Sequence, residues 1–168
     1  MELPNRKPTR LQDYDYSRPG AYFVTICTKD RRKILSEIIV GGDVLDAPQN
    51  ILYPYGKIAN KHLLSMCNFY DNISITKYVI MPNHIHLLIQ IADSDNGPPR
   101  TSVPTKSLLS NFVSTFKRFC NKECGENVWQ RSFHDHIIRD ERDYLKIAEY
   151  IETNPLKWES DCFYNAEK

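Results

Sequence analysis

The chain has no long apolar run. Its longest unbroken stretches are a few residues, against the roughly 20 that a membrane-crossing helix requires, so no membrane partner is expected. The N-terminal stretch from Met1 to Gly20 carries Arg6, Lys7, Arg10 and Arg18 without an apolar centre, which argues against a secretory signal. CxxC spacing is also missing. The five cysteines (Cys27, Cys67, Cys120, Cys124, Cys162) are odd in number, Cys27 and Cys67 sit in apolar-rich segments and read as small buried hydrophobes, and a reduced, cytoplasmic setting is expected. Excess charge of one sign is lacking too: 22 basic against 21 acidic side chains leave a net +1. That excludes a bulk polycation but permits a local basic groove. Internal repeats and low-complexity tracts are absent.

What is present is an ordinary globular composition, 41% hydrophobic and 26% charged over 168 residues, long enough to close a core without disulfides. It reads as one domain, with a basic arm over 1–19, a core over 20–158 and a tail over 159–168. Ala21 to Thr28 is β-rich, a charged turn follows over Thr28 to Lys33, and Ile34 to Val40 is a second β-like run broken by Gly41-Gly42. Asp43 to Pro54 reads as irregular loop, and Tyr55 to Tyr70 as a helix. Ile73 to Met81 and His84 to Ala92 form a hairpin around Pro82-Asn83, and Ser94 to Pro104 is a loop. Lys106 to Lys122 is an amphipathic helix ended by Gly125, and Val128 to Arg139 an edge strand. Asp140 to Asn154 is a helix with Asp140 as its N-cap and Asp143 in the capping-box position. The order β, β, α, β, β, α, β, α predicts an α+β fold with a ferredoxin-like antiparallel sheet and helices packed on it.

The most informative stretch is Met81-Pro-Asn-His-Ile-His-Leu-Leu-Ile-Gln-Ile91. On a strand, Ile85, Leu87, Ile89 and Ile91 make one apolar face, and His84, His86, Leu88 and Gln90 the other. Two imidazoles at that spacing converge within reach of one divalent cation, or stand as two partly exposed histidines. A histidine triad is disfavoured because the third alternate position is Leu88. A second H-x-H, His134-Asp-His136, lacks a clean apolar opposite face and reads as edge-strand polar residues near substrate, or as a competing metal pair.

On the last helix, Tyr144, Ile147, Ala148 and Ile151 form the buried stripe, with Tyr150 on its flank and Asn154 one turn further on the same side. Asn154 could ligate a hard cation through its carbonyl oxygen, or cap the helix before Pro155. Tyr150 is either an amphipathic boundary residue or a hydroxyl aimed into a groove.

Together these stretches resemble the HUH single-tyrosine transposases, and among them the REP-associated tyrosine transposases. The carrying segments are Gly20-Ala-Tyr-Phe-Val-Thr25, Tyr78-Val-Ile-Met-Pro-Asn-His-Ile-His86, Val128-Trp-Gln-Arg131, Ile138-Arg-Asp140 and Tyr150-Ile-Glu-Thr-Asn-Pro155, in that order. The resemblance implies metal ligation by His84, His86 and Asn154, with Mg²⁺ or Mn²⁺ as cofactor. It implies Tyr150 as nucleophile, forming a 5′-phosphotyrosine with single-stranded DNA that carries hairpins. No long basic C-terminal tail follows Trp158.

A free phenol ionises near pH 10, so Tyr150 needs assistance, and Lys146 one turn earlier is a candidate to supply charge. Candidate DNA contacts are Lys29, Arg31, Arg32 and Lys33 in the basic turn, Lys117 and Arg118 on a helix, and Arg6, Lys7 and Arg10 on the arm. Trp129, Tyr14 and Tyr16 are candidates to stack on unpaired bases. Two other readings compete: a catalytically silent hairpin DNA- or RNA-binding regulator, and a phosphoesterase that uses water. A monomer and a homodimer fit equally well.

Overall fold

A computed structural model describes residues 14–39, 48–93 and 107–164. Arg6, Lys7 and Arg10, the expected loop over Ser94 to Pro104, and residues 43–47 of the expected loop over Asp43 to Pro54 lie outside the described residues.

Among the described residues, six strands and three α-helices follow in the order β1 (Gly20–Cys27), β2 (Ser36–Ile39), β3 (Gln49–Leu52), α1 (Pro54–Met66), β4 (Ile73–Ile80), β5 (His84–Ile91), α2 (Leu108–Cys124), β6 (His134–Ile138) and α3 (Glu141–Thr153). The main sheet has the order β4-β5-β1-β6, and every pairing in it is antiparallel. This is the α+β, ferredoxin-like sheet that the element order predicts, with β2 and β3 forming a separate two-stranded arm.

The alternation read from β5 decides the layering. Ile85, Leu87, Ile89 and Ile91 are buried with Tyr22, Val24 and Ile26 of β1 against Leu63 and Met66 of α1 and Leu109, Phe112 and Phe116 of α2. Burying one such side chain is worth roughly 1.5–3 kcal/mol, so this face fixes the register. The opposite face is covered as well. Leu88 packs on Ala148 and Ile151 of α3, with Phe23, Val79, Tyr144 and Ile147 around them. That second layer buries the histidines.

Local chemistry sets the helix ends. Pro54 opens α1, where its missing N–H costs nothing. Ser107 caps α2 by accepting from the Ser110 N–H, and Gly125 ends it in the left-handed region at φ 73°. Asp140 accepts from the Asp143 N–H, as expected of an N-cap, but the Asp143 carboxylate turns to His136 (2.8 Å) and does not complete a capping box.

Three expectations are corrected. β3 lies inside the segment read as irregular, because Gln49-Asn-Ile-Leu52 is too short to show alternation and pairs only with β2. The edge strand is confined to His134–Ile138. Val128 and Trp129 pack in the core, and Trp129 makes only a lone bridge to Thr28.

Candidate active site

β5 is a central strand, so its side chains meet protein on both faces. His84 and His86 are 0% and 1% exposed, against the half-exposed positions expected of a polar face. Their Nε2 atoms lie 3.0 Å apart. Antiparallel register sets Thr25 of β1 opposite His86, and the Thr25 hydroxyl stands 2.8 Å from His86 Nδ1. The Asn83 side chain fixes His84. Its Nδ2 donates to the Phe163 carbonyl (2.9 Å), so its Oδ1 accepts from His84 Nδ1–H (2.8 Å). His84 Nε2 is therefore the lone-pair nitrogen, and it points at the site. Burial holds both imidazoles neutral: it brings the His84 pKa down to about 4, and burial together with the neighbouring His84 pushes His86 well below its usual value.

α3 brings its flank over this pair. The Tyr150 hydroxyl lies 3.3 Å from His86 Nε2 and donates to Asp161 Oδ2 at 2.9 Å. Its ring packs edge-on to Phe23 at 6.0 Å. The phenol is held above its ordinary range, first by burial and then by the hydrogen bond to, and charge of, Asp161. Asn154, 1% exposed, donates from Nδ2 to Asp161 Oδ2 at 2.7 Å. Its Oδ1 is buried without a partner. Burial pushes the Asp161 carboxyl upward, but the Phe163 N–H, the Asn154 amide, His84 and the phenol outweigh it and hold the group below its usual range.

The structure thus brings His84, His86, Tyr150 and Asn154 together within one chain. One ligand atom each from His84, His86 and Asp161 lie within 4.8 Å of one another. Two imidazole nitrogens, an orphaned amide oxygen and a carboxylate form a donor set that fits a divalent ion, since an unsatisfied buried oxygen is costly without a cation.

Sequence reasoning missed Asp161, Thr25, Asn83 and Phe163. Asp161 follows the turn over Pro155–Ser160 and has no spacing motif to mark it. Thr25 is recognisable only once the β1–β5 register is known.

The candidate DNA contacts divide. Lys29 is exposed, Arg31 lies 4.8 Å over the Phe163 ring, and Lys33 lies 5.2 Å over Tyr164. Arg32 bonds Glu126 at 3.0 Å, and Arg118 is exposed beside Phe119. Lys117 is corrected: it is 9% exposed, and its ammonium donates to the carbonyls of Gln130 and Ser132, 2.8 Å each. Trp129 is 2% exposed against Phe116 and Tyr16 is 6% exposed, so these two rings belong to the core, while Tyr14 packs on Tyr16 and is partly buried. Lys146 is exposed on α3. Its charge acts on Asp143, and the charges acting on Tyr150 come from Asp161 and Cys162. His134 and His136 lie opposite Thr25 and Phe23, on the same sheet face as His86 but outside its hydrogen bonds.

The antiparallel sheet thus presents two buried imidazoles to a phenol and an amide borne by α3. Residues 19–154 match the sequence pattern of the family described as Transposase IS200 like. The chain belongs to that family and is a transposase. It is 30% identical to the REP-associated tyrosine transposase of Escherichia coli, over 84% of this chain and 70% of that protein. An uncharacterized protein of Haemophilus influenzae is 34% identical over 96% of this chain and 94% of its own length. The fold is shared with a solved REP-associated tyrosine transposase bound to a REP hairpin, at a TM-score of 0.62 and 19% identity, covering 89% of this chain and 73% of that one. The family match takes in His84, His86, Tyr150 and Asn154 and ends before Asp161. No helix among the described residues is long and apolar enough to cross a membrane.

Proposed function

We propose that this transposase cleaves and rejoins single-stranded DNA beside hairpin elements through a covalent bond to Tyr150. The phenolic oxygen attacks the scissile phosphorus, the bond from phosphorus to the 3′-oxygen breaks, and the departing oxygen takes up a proton. The products are a 5′-phosphotyrosine and a free 3′-hydroxyl, and reversal with a second 3′-hydroxyl rejoins DNA. The supporting observation is the placement of the Tyr150 hydroxyl 3.3 Å from His86 Nε2, beside the unpartnered Asn154 Oδ1.

His84 Nε2, His86 Nε2 and Asn154 Oδ1 would hold Mg²⁺ or Mn²⁺, with Asp161 Oδ2 in reach. The ion would supply Lewis-acid polarisation of the phosphate. Thr25 and Asn83 orient the imidazoles from behind. Lys29, Arg32, Lys33 and Arg118 are the surface cations proposed to hold backbone phosphates. All the proposed catalytic groups come from one chain, so a monomer suffices, and a cytoplasmic location gives it access to DNA.

The test is cleavage of labelled hairpin-bearing single strands with Mn²⁺. Wild-type protein forms a covalent adduct. Tyr150→Phe forms none and still binds the strand. A chelator abolishes cleavage without unfolding the protein. Turnover that survives Tyr150→Phe would overturn the proposal.

A further inference from the structure

We propose that the space filled by the Phe163 ring is a nucleobase subsite, which takes the base of a nucleotide next to the cleaved phosphate. This rests on the strand-cleavage reading above. Phe163 lies outside the family match, yet its ring sits against the metal-site pair, with centroids 4.7 Å from His84, 5.9 Å from His86 and 6.1 Å from His134. The Arg31 guanidinium lies over the same ring at 4.8 Å. A flat ring bounded by one guanidinium and by three imidazoles, each imidazole tilted or edge-on to it, has the surroundings that single-strand binders offer to a base: aromatic walls and a planar cation.

The ring is only half-buried, and the backbone of its residue carries the polar contacts. The Phe163 N–H donates to Asp161 Oδ1 (2.7 Å), and its carbonyl accepts from Asn83 Nδ2 (2.9 Å). Asp161 also holds the Tyr150 phenol, so a base in the slot lies close to a phosphate at the nucleophile.

The backbone under Arg31 is strained. Asp30 and Arg31 both adopt left-handed conformations, at φ 56° and 54°, which a non-glycine residue adopts at a cost. Arg32 is paired with Glu126, whereas Arg31 has no carboxylate partner among the described residues. The turn holds a planar cation over the ring. His134 gives the second H-x-H a place in the same wall.

The test compares a short oligothymidylate with an abasic strand of the same phosphate count. Binding to Tyr150→Phe protein is followed with Mn²⁺ at fixed salt. The intact strand is expected to bind about tenfold more tightly. Arg31→Ala shrinks that ratio several-fold. Arg31→Lys, which keeps the charge but loses the plane, shrinks it while preserving abasic affinity. Phe163→Ala widens the ratio, because the base no longer displaces a ring. Equal weakening of both strands by Arg31→Ala would reduce Arg31 to a phosphate contact and overturn the subsite, as would a ratio narrowed by Phe163→Ala. None of these readouts needs cleavage, so loss of the nuclease reading and loss of the subsite are separately visible.

Discussion

Asp161 accepts the phenolic hydrogen of Tyr150 at 2.9 Å, and the same carboxylate oxygen accepts the Asn154 amide at 2.7 Å. One acidic side chain therefore orients both groups that α3 delivers to the histidines. It also keeps the Tyr150 phenol protonated, because burial and the adjacent negative charge each disfavour a phenolate.

Replacing Asp161 with Asn keeps an acceptor but removes the charge. Tyr150 is then expected to ionise at a lower pH than in the wild type. The difference in tyrosinate absorbance between each protein and its Tyr150→Phe counterpart measures this. An unchanged titration would show that burial alone holds the phenol.

Metal affinity tests the donor set directly. Asn154→Ala removes the orphaned oxygen, and calorimetry with Mn²⁺ alone is expected to show about tenfold weaker binding. Thr25→Val removes the hydroxyl behind His86 Nδ1, and loss of such a support costs about 10- to 100-fold in affinity. Unaltered Mn²⁺ binding in both variants would place the ion elsewhere.

The buried histidines make apo-protein stability depend on pH. In the unfolded chain they take up protons near the ordinary value of 6.5, whereas folded His84 resists until about 4 and burial also holds His86 well below its usual value. The unfolded state therefore binds more protons in this window. Stability is complete above about pH 6.5 and falls as pH drops toward 4, by about 1.4 kcal/mol per pH unit for each unmatched proton. Urea titrations with a chelator present should show the decline, and His84→Gln with His86→Gln should flatten it. Equal stability at pH 5 and 7 in the wild type would contradict buried neutral imidazoles.

Gly56 tests the support under the site. A Cβ there would run into the Leu35 carbonyl, where α1 crosses the segment leading into β2. Gly56→Ala is expected to destabilise by about 1–3 kcal/mol through overpacking, visible as a lowered melting temperature. A neutral result would mean that α1 shifts freely.

Much of this site was legible in the sequence because its parts obey short periodicities. Alternation placed His84 and His86 on one face of β5, and the i, i+4 relation placed Tyr150 and Asn154 on one side of α3. Alternation could not show that the imidazole face is buried, because its cover comes from Tyr150 on α3 and from Trp158 and Phe163 beyond it, all distant in sequence from β5. Thr25 needed the strand register, and Asp161 needed the path of the chain after Pro155. Lys117 and Trp129 misled for a general reason: a basic or aromatic residue on an amphipathic element can turn inward when carbonyls or rings await it.

The most direct measurement is identification of the side chain that carries DNA. Wild-type protein is incubated with hairpin-bearing single strands and Mn²⁺, digested, and the nucleotide-bearing peptide sequenced by mass spectrometry. The account predicts a 5′-phosphate ester on Tyr150 and a released strand ending in a 3′-hydroxyl. A nucleotide on any other residue, or strand scission with no protein-bound DNA, would contradict it.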